Sequence, residues 1–166
     1  MASFSTKTFT KHDDYMTPES AWKAIEQYIP KDKMIWEPFY GDGKSGEHLK
    51  KMGLNVHHVP EDFFTAEPSG DIVISNPPYT LKKETLRRLK ELEMPFILIM
   101  PSSTLVTAYC RELFGTETLQ IMIPRKRIQF IKMVDGEYVK DPKNMCNFDC
   151  FYFCYKMNLP RDILWL

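Results

Sequence analysis

The chain has 166 residues, enough for one domain around one core. Its 22 basic and 22 acidic side chains cancel, which argues against a protein that grips nucleic acid through a broad phosphate footprint. No run of about 18 or more uncharged apolar residues offers a membrane span, and Met1-Ala2-Ser3-Phe4-Ser5-Thr6-Lys7 lacks the regions of a secretory signal, so the expectation is an intracellular, cytoplasmic protein.

In chain order, Thr17 as N-cap and Pro18 at the first helical position predict a helix over Pro18 to Tyr28. A strand follows over Met34 to Glu37, then the loop Glu37-Pro38-Phe39-Tyr40-Gly41-Asp42-Gly43 and a helix over Gly46 to Met52. Strands are predicted over Asn55 to Val59 and Asp71 to Ser75, a helix over Leu81 to Leu92, a strand over Phe96 to Met100 and a helix over Ser103 to Phe114. The last predicted strands are Leu119 to Ile123 and Phe148 to Tyr155, with a hairpin turn at Asp135-Gly136 between them. Ile72-Val73-Ile74 and Phe96-Ile97-Leu98-Ile99 are continuous apolar runs, the pattern of strands covered on both faces. Strand then helix, repeated, implies an α/β fold with a mostly parallel sheet, and such sheets bind ligands beyond the carboxyl ends of their strands.

Three strand ends carry chemistry. In the loop after the first, glycines allow close backbone approach to a ligand, and Glu37 offers a carboxylate to an ammonium or a ribose. Lys44-Ser45 follows, yet the four-residue spacer of a triphosphate-binding loop is missing. After the third strand comes Ser75-Asn76-Pro77-Pro78-Tyr79, where two prolines stiffen the loop and remove two donors. An amide acceptor, a carbonyl and an aromatic face within four residues suit a planar amine; the alternative is a proline turn with Tyr79 packed in the core. After Ile123, the segment Pro124-Arg125-Lys126-Arg127-Ile128-Gln129-Phe130 either holds a phosphate and stacks on a base or is a strand edge protected by charge. Lys82, Lys83, Arg87 and Arg88 form a second basic patch, for which a solvated helix face is the alternative reading.

Cys146, Cys150 and Cys154 recur every four residues, with Cys110 apart. On a strand, residues four apart sit roughly 13 Å from one another, too far to share an ion, so no metal is expected and the cysteines read as buried thiols.

Asn76-Pro77-Pro78-Tyr79, the Glu37-Pro38-Phe39 to Gly43 loop and Asp14-Tyr15-Met16-Thr17-Pro18 together resemble the ordered motifs of amino-group DNA methyltransferases. Their order is similar to the Dam-like N6-adenine branch, in the compact form of phage and large-virus enzymes, and the resemblance runs from about Phe9 to Tyr155. It implies a Rossmann-like fold in a single methyltransferase domain with an antiparallel C-terminal strand, S-adenosylmethionine as cofactor and DNA as partner. By the same resemblance Asp14, Tyr15 and Thr17 lie at the methionine end of the cofactor, and Glu37, Phe39, Gly41 and Gly43 form its loop. Asp62 and Phe63 would meet its adenine, Asn76 and Tyr79 would hold the target base with Pro77 and Pro78 between them, and Phe130 would pack against that base; in the basic segment Arg125 and Arg127 are the candidate contacts to nucleic acid.

One departure concerns the sheet. The family spends a helix and a strand before the Asp-Phe pair, and the interval from Val59 to Asp71 has no room for them. The sheet is therefore expected to be trimmed at that edge, with Asn55 to Val59 as edge strand and Glu61 as substitute ribose acceptor. No segment is long enough for a separate target-recognition domain, which implies a short or relaxed sequence context. Glutamine-amide methyltransferases of release factors share the tetrapeptide, RNA adenine would present the same amine, and a non-catalytic subunit would keep the fold without the activity.

Overall fold

A computed structural model of the chain describes residues 15–117, 119–139 and 148–166. Its strands are β1 (Tyr15–Met16), β2 (Met34–Trp36), β3 (Asn55–His57), β4 (Ile72–Ser75), β5 (Phe96–Pro101), β6 (Leu119–Ile123), β7 (Ile131–Val134), β8 (Glu137–Val139), β9 (Cys150–Tyr155) and β10 (Ile163–Trp165). The α-helices are α1 (Glu19–Lys23), α2 (Lys44–Lys51), α3 (Lys82–Glu91) and α4 (Ala108–Phe114). Seven strands form the main sheet in the order β10-β6-β9-β5-β4-β2-β3, and β1-β7-β8 form a small antiparallel sheet. In the main sheet only β9 runs antiparallel to its neighbours, β5 and β6.

The continuous apolar runs are explained by the period of two along each strand. Ile72 and Ile74 of β4, Ile97 and Ile99 of β5 and Tyr152 and Cys154 of β9 enter one core with Trp22, Ile25 and Leu49. Val73, Phe96, Leu98, Met100, Phe153 and Tyr155 point the other way, into a second core with Leu86, Leu89 and Phe114. Cys110, Cys150 and Cys154 are buried free thiols; Cys146 lies outside the described residues.

Among the described residues β3 closes one end of the main sheet, as the short interval before Asp71 predicts. That interval is a tight crossover rather than a helix. Arg88 of α3 ties it down, donating from Nε to the Phe63 carbonyl at 2.9 Å and from Nη2 to the Ala66 carbonyl at 2.8 Å. Gly70 then passes so close to β2 that a Cβ there would stand 2.9 Å from the Met34 carbonyl oxygen.

Several predicted bounds change. The first helix covers Glu19–Lys23 only, followed by a 3₁₀ turn at Glu26–Tyr28, and its N-cap is Pro18 without a side-chain bond, because the Thr17 hydroxyl is engaged elsewhere. The Ser103 to Phe114 helix is split into a 3₁₀ turn, Ser102–Val106, and α4. Thr107 makes the break: it is extended, its hydroxyl donates to the Thr104 carbonyl at 2.7 Å and accepts from Cys110 N at 3.3 Å. β3 ends at His57 and β9 starts at Cys150. Strand β10, a short extension parallel to β6, was not predicted from its three-residue pattern.

Candidate active site

One cleft opens beyond the carboxyl ends of β2 and β4. The loop after β2 contributes Glu37, Phe39, Tyr40, Gly41, Asp42 and Ser45; the loop after β4 contributes Asn76, Pro77, Pro78 and Tyr79; β1 and the residue after it contribute Tyr15, Met16 and Thr17. Tyr15, Thr17, Glu37, Phe39, Gly41, Asn76, Pro77, Pro78 and Tyr79 are thus brought together from three separate stretches of the sequence.

Glu37 leaves the end of β2 and is 1% exposed. Its Oε1 accepts from Phe39 N at 3.0 Å and from the Ser75 hydroxyl at 2.5 Å, which joins the two loops. Burial pushes its carboxyl up to about 8, against the smaller opposing effect of those two bonds. His58 props the same loop from behind: its Nδ1 donates to the Glu37 carbonyl at 2.8 Å, since a carbonyl only accepts, and its ring stacks on Tyr40 at 4.8 Å. Burial holds the His58 imidazole below its ordinary range. Gly41 and Gly43 both have positive φ, 60° and 82°, and Gly43 is the N-cap of α2, so it shapes the loop without lining the cleft.

Asn76 sits where β4 ends, followed by two buried prolines. Its Nδ2 donates to the Thr17 hydroxyl at 3.0 Å, while its Oδ1 is buried and has no hydrogen-bond partner among the described residues. A buried amide oxygen left without a donor costs about 1–3 kcal/mol, a cost that an incoming N–H donor would relieve. Tyr79 approaches Cys150 Sγ at 3.4 Å through its hydroxyl and stands edge-on to Phe130 and Phe148 at 6.5 and 5.7 Å.

The remaining expected residues lie elsewhere. Asp14 is outside the described residues. Glu61 stitches the ends of β2 and β3, its Oε1 accepting from Trp36 Nε1 at 3.2 Å and lying 3.1 Å from His57 Nε2. Asp62 accepts from Phe64 N at 2.9 Å within its own turn, and Phe63 is fully buried against Trp36 and Phe39, so none of the three lines the cleft. Phe130 is buried behind Tyr79, stacked on Phe148 at 6.1 Å. Arg125 and Lys126 are exposed, and Arg127 pairs with Asp149 at 2.9 Å.

Tyr40, Asp42 and Ser45 are cleft residues the sequence left unassigned, although all lie in or beside the glycine loop. Tyr138 had no signal at all: 96 residues away in sequence, its hydroxyl donates to Asp42 Oδ2 at 2.7 Å.

No protein-family model matches the chain, and no curated protein matches its sequence. Among solved structures it is similar to a precorrin-6y C5,15-methyltransferase from Geobacter metallireducens GS-15, with a TM-score of 0.51, 13% identity and coverage of 90% of this chain and 93% of that one. It also overlaps a methyltransferase from Pyrococcus furiosus at a TM-score of 0.43 and 12% identity, covering 88% of this chain and 87% of that one, too loosely to add to the argument. The sheet, parallel except for β9, and the first likeness show a Rossmann-like α/β fold, shared with that methyltransferase.

Proposed function

We propose that the protein uses S-adenosylmethionine to methylate an amino nitrogen, and that this nitrogen is N6 of adenine in DNA. The observation that carries the reading is the buried, unpartnered Oδ1 of Asn76, held on the cleft beside the Glu37 to Gly43 loop. The residues present fit the cofactor: both protein donors to Glu37 use Oε1, leaving Oε2 for an ammonium, and the positive-φ Gly41 lets the backbone come close to a ligand. When bound, S-adenosylmethionine supplies the electrophilic methyl group.

The protein's part concerns the amine. An exocyclic amine shares its lone pair with its ring and is a poor nucleophile. Asn76 Oδ1 accepts one N–H and the Pro77 carbonyl the other, which draws the lone pair out of conjugation. No strong base is required, because the proton lost after transfer leaves an already acidic, substituted ammonium. In a duplex the base has to leave the stack, and stacking on Tyr79 offsets part of that cost, about 1–3 kcal/mol per base.

Adenine in DNA is favoured over a glutamine amide because the Thr17-Pro18 segment before the glycine loop and the basic-aromatic segment from Arg125 to Phe130 fit the nucleic-acid branch. The described residues form no separate recognition domain, and the expected target is an adenine in a short or relaxed context. Transfer of a radiolabelled methyl group to DNA, RNA and protein substrates tests this directly. Label in DNA supports the reading, whereas label confined to RNA or protein replaces the substrate and keeps the chemistry.

A further inference from the structure

Thr17 is 6% exposed and lies directly after β1, which is held by antiparallel pairing of Tyr15 with Lys132 and Met16 with Ile131. Its neighbour Met16 packs against the glycine loop, 3.4 Å from where a Cβ on Gly41 would stand. The threonine hydroxyl is therefore fixed by the small sheet rather than by the main one, and it meets Asn76 across 59 residues of sequence.

We propose that Thr17 is a positioning residue for methyl transfer, its hydroxyl binding Asn76 Nδ2 so that the amide turns its oxygen and not its amino end toward the incoming amine. The proposal rests on the function assigned to Asn76 above. A side-chain amide has two faces of similar shape and opposite hydrogen-bonding character, and half a turn about its last bond exchanges them. Pointed the wrong way, the amide sets its own N–H groups against the N–H groups of the substrate, and the lone pair is not released. A free asparagine on a loop has no reason to prefer one face. Here Nδ2 is committed at 3.0 Å, and the oxygen is left buried without a partner. A hydroxyl can accept from an amide nitrogen or donate to an amide oxygen, so the packed site sets the face and Thr17 fixes the side chain in it at the nitrogen end.

Two variants separate an orienting role of Thr17 from a cofactor contact. Thr17→Val keeps the shape and removes the acceptor; Thr17→Ser keeps the acceptor and removes a methyl group. In the nitrogen-15-labelled chain, the Asn76 side-chain amide protons are expected to exchange slowly in wild type and Thr17→Ser and rapidly in Thr17→Val. With S-adenosylmethionine and DNA, Thr17→Val should lose about tenfold in kcat, the size of one buried hydrogen bond, while Thr17→Ser recovers most of the rate. Cofactor affinity by calorimetry should stay within about twofold in both, under ~0.5 kcal/mol.

Rapid exchange of the Asn76 amide in the wild-type protein overturns the proposal even if no variant folds. Wild-type kcat in Thr17→Val overturns it as well, and so does a loss of cofactor affinity that accounts for the whole loss of rate. The exchange measurement needs no substrate. If the wild-type protein methylates nothing, the functional reading fails on its own, and the exchange data still decide whether Thr17 orients Asn76.

Discussion

The Tyr138 phenol donates to the Asp42 carboxylate at 2.7 Å and so joins the β7–β8 hairpin to the loop after β2. Lys44 lies over the same ring at 5.5 Å, and β7 pairs with β1 on its other edge, so one small sheet touches both the glycine loop and the strand leading to Thr17. The bond is at the surface, with Tyr138 44% exposed, and a hydrogen bond to a charged group there stabilises the loop only modestly. Tyr138→Phe is expected to weaken S-adenosylmethionine binding by about three- to tenfold, through faster dissociation, with folding stability changed by less than ~1 kcal/mol. Stopped-flow binding and chemical denaturation check both halves.

Glu37 is expected to make cofactor binding proton-linked. In the free protein burial raises its carboxyl from 4.5 to about 8, so near pH 7 the folded protein holds a proton that the unfolded chain has lost. Stability therefore falls as pH rises between those two values, by at most ~1.4 kcal/mol per pH unit, and levels off above the upper one. An ammonium at Oε2 favours the ionised carboxylate, so binding at pH 7 should release close to one proton. Calorimetry in two buffers of different ionisation enthalpy measures that release, and Glu37→Gln should abolish it together with the pH slope of stability.

The two basic patches are expected to separate by role. Arg88 spends its guanidinium on the Phe63 and Ala66 carbonyls and lies over the Phe63 ring at 5.7 Å. Arg88→Ala should cost about 1–3 kcal/mol of folding stability with little effect on DNA affinity. The exposed pair Arg125 and Lys126 should behave the opposite way: alanine at both leaves denaturation unchanged, weakens DNA binding and flattens its salt dependence by up to about two counterions. Denaturation curves and a salt titration of DNA binding distinguish them.

Much of this architecture was legible in the residues. Continuous apolar runs such as Phe96 to Ile99 marked central strands, and the short stretch before Asp71 marked the edge at β3, because a helix and strand cannot fit there. The cleft was legible where motif and strand end coincide, as at Glu37, Gly41 and Asn76. What was not legible depends on contacts between distant segments. Nothing local in Thr17 separates a helix cap from a partner of Asn76, and nothing local in Tyr138 points to Asp42. Phe63 shows the reverse case: a motif resemblance suggested a ligand contact, and the shortened crossover folds that ring into the core. Strand β10 carries no readable signal, because three residues hold too little pattern to separate a strand from a tail.

The central claim is that Asn76 presents an acceptor to an adenine amine. Mass analysis of nucleosides from DNA incubated with S-adenosylmethionine and either the wild-type chain or Asn76→Ala tests it most directly. The account predicts N6-methyladenine with wild type and none with Asn76→Ala, whose cofactor affinity stays within about threefold, under ~1 kcal/mol. Undiminished methylation by Asn76→Ala, or DNA without methylated adenine from a wild-type protein that binds the cofactor, would contradict it.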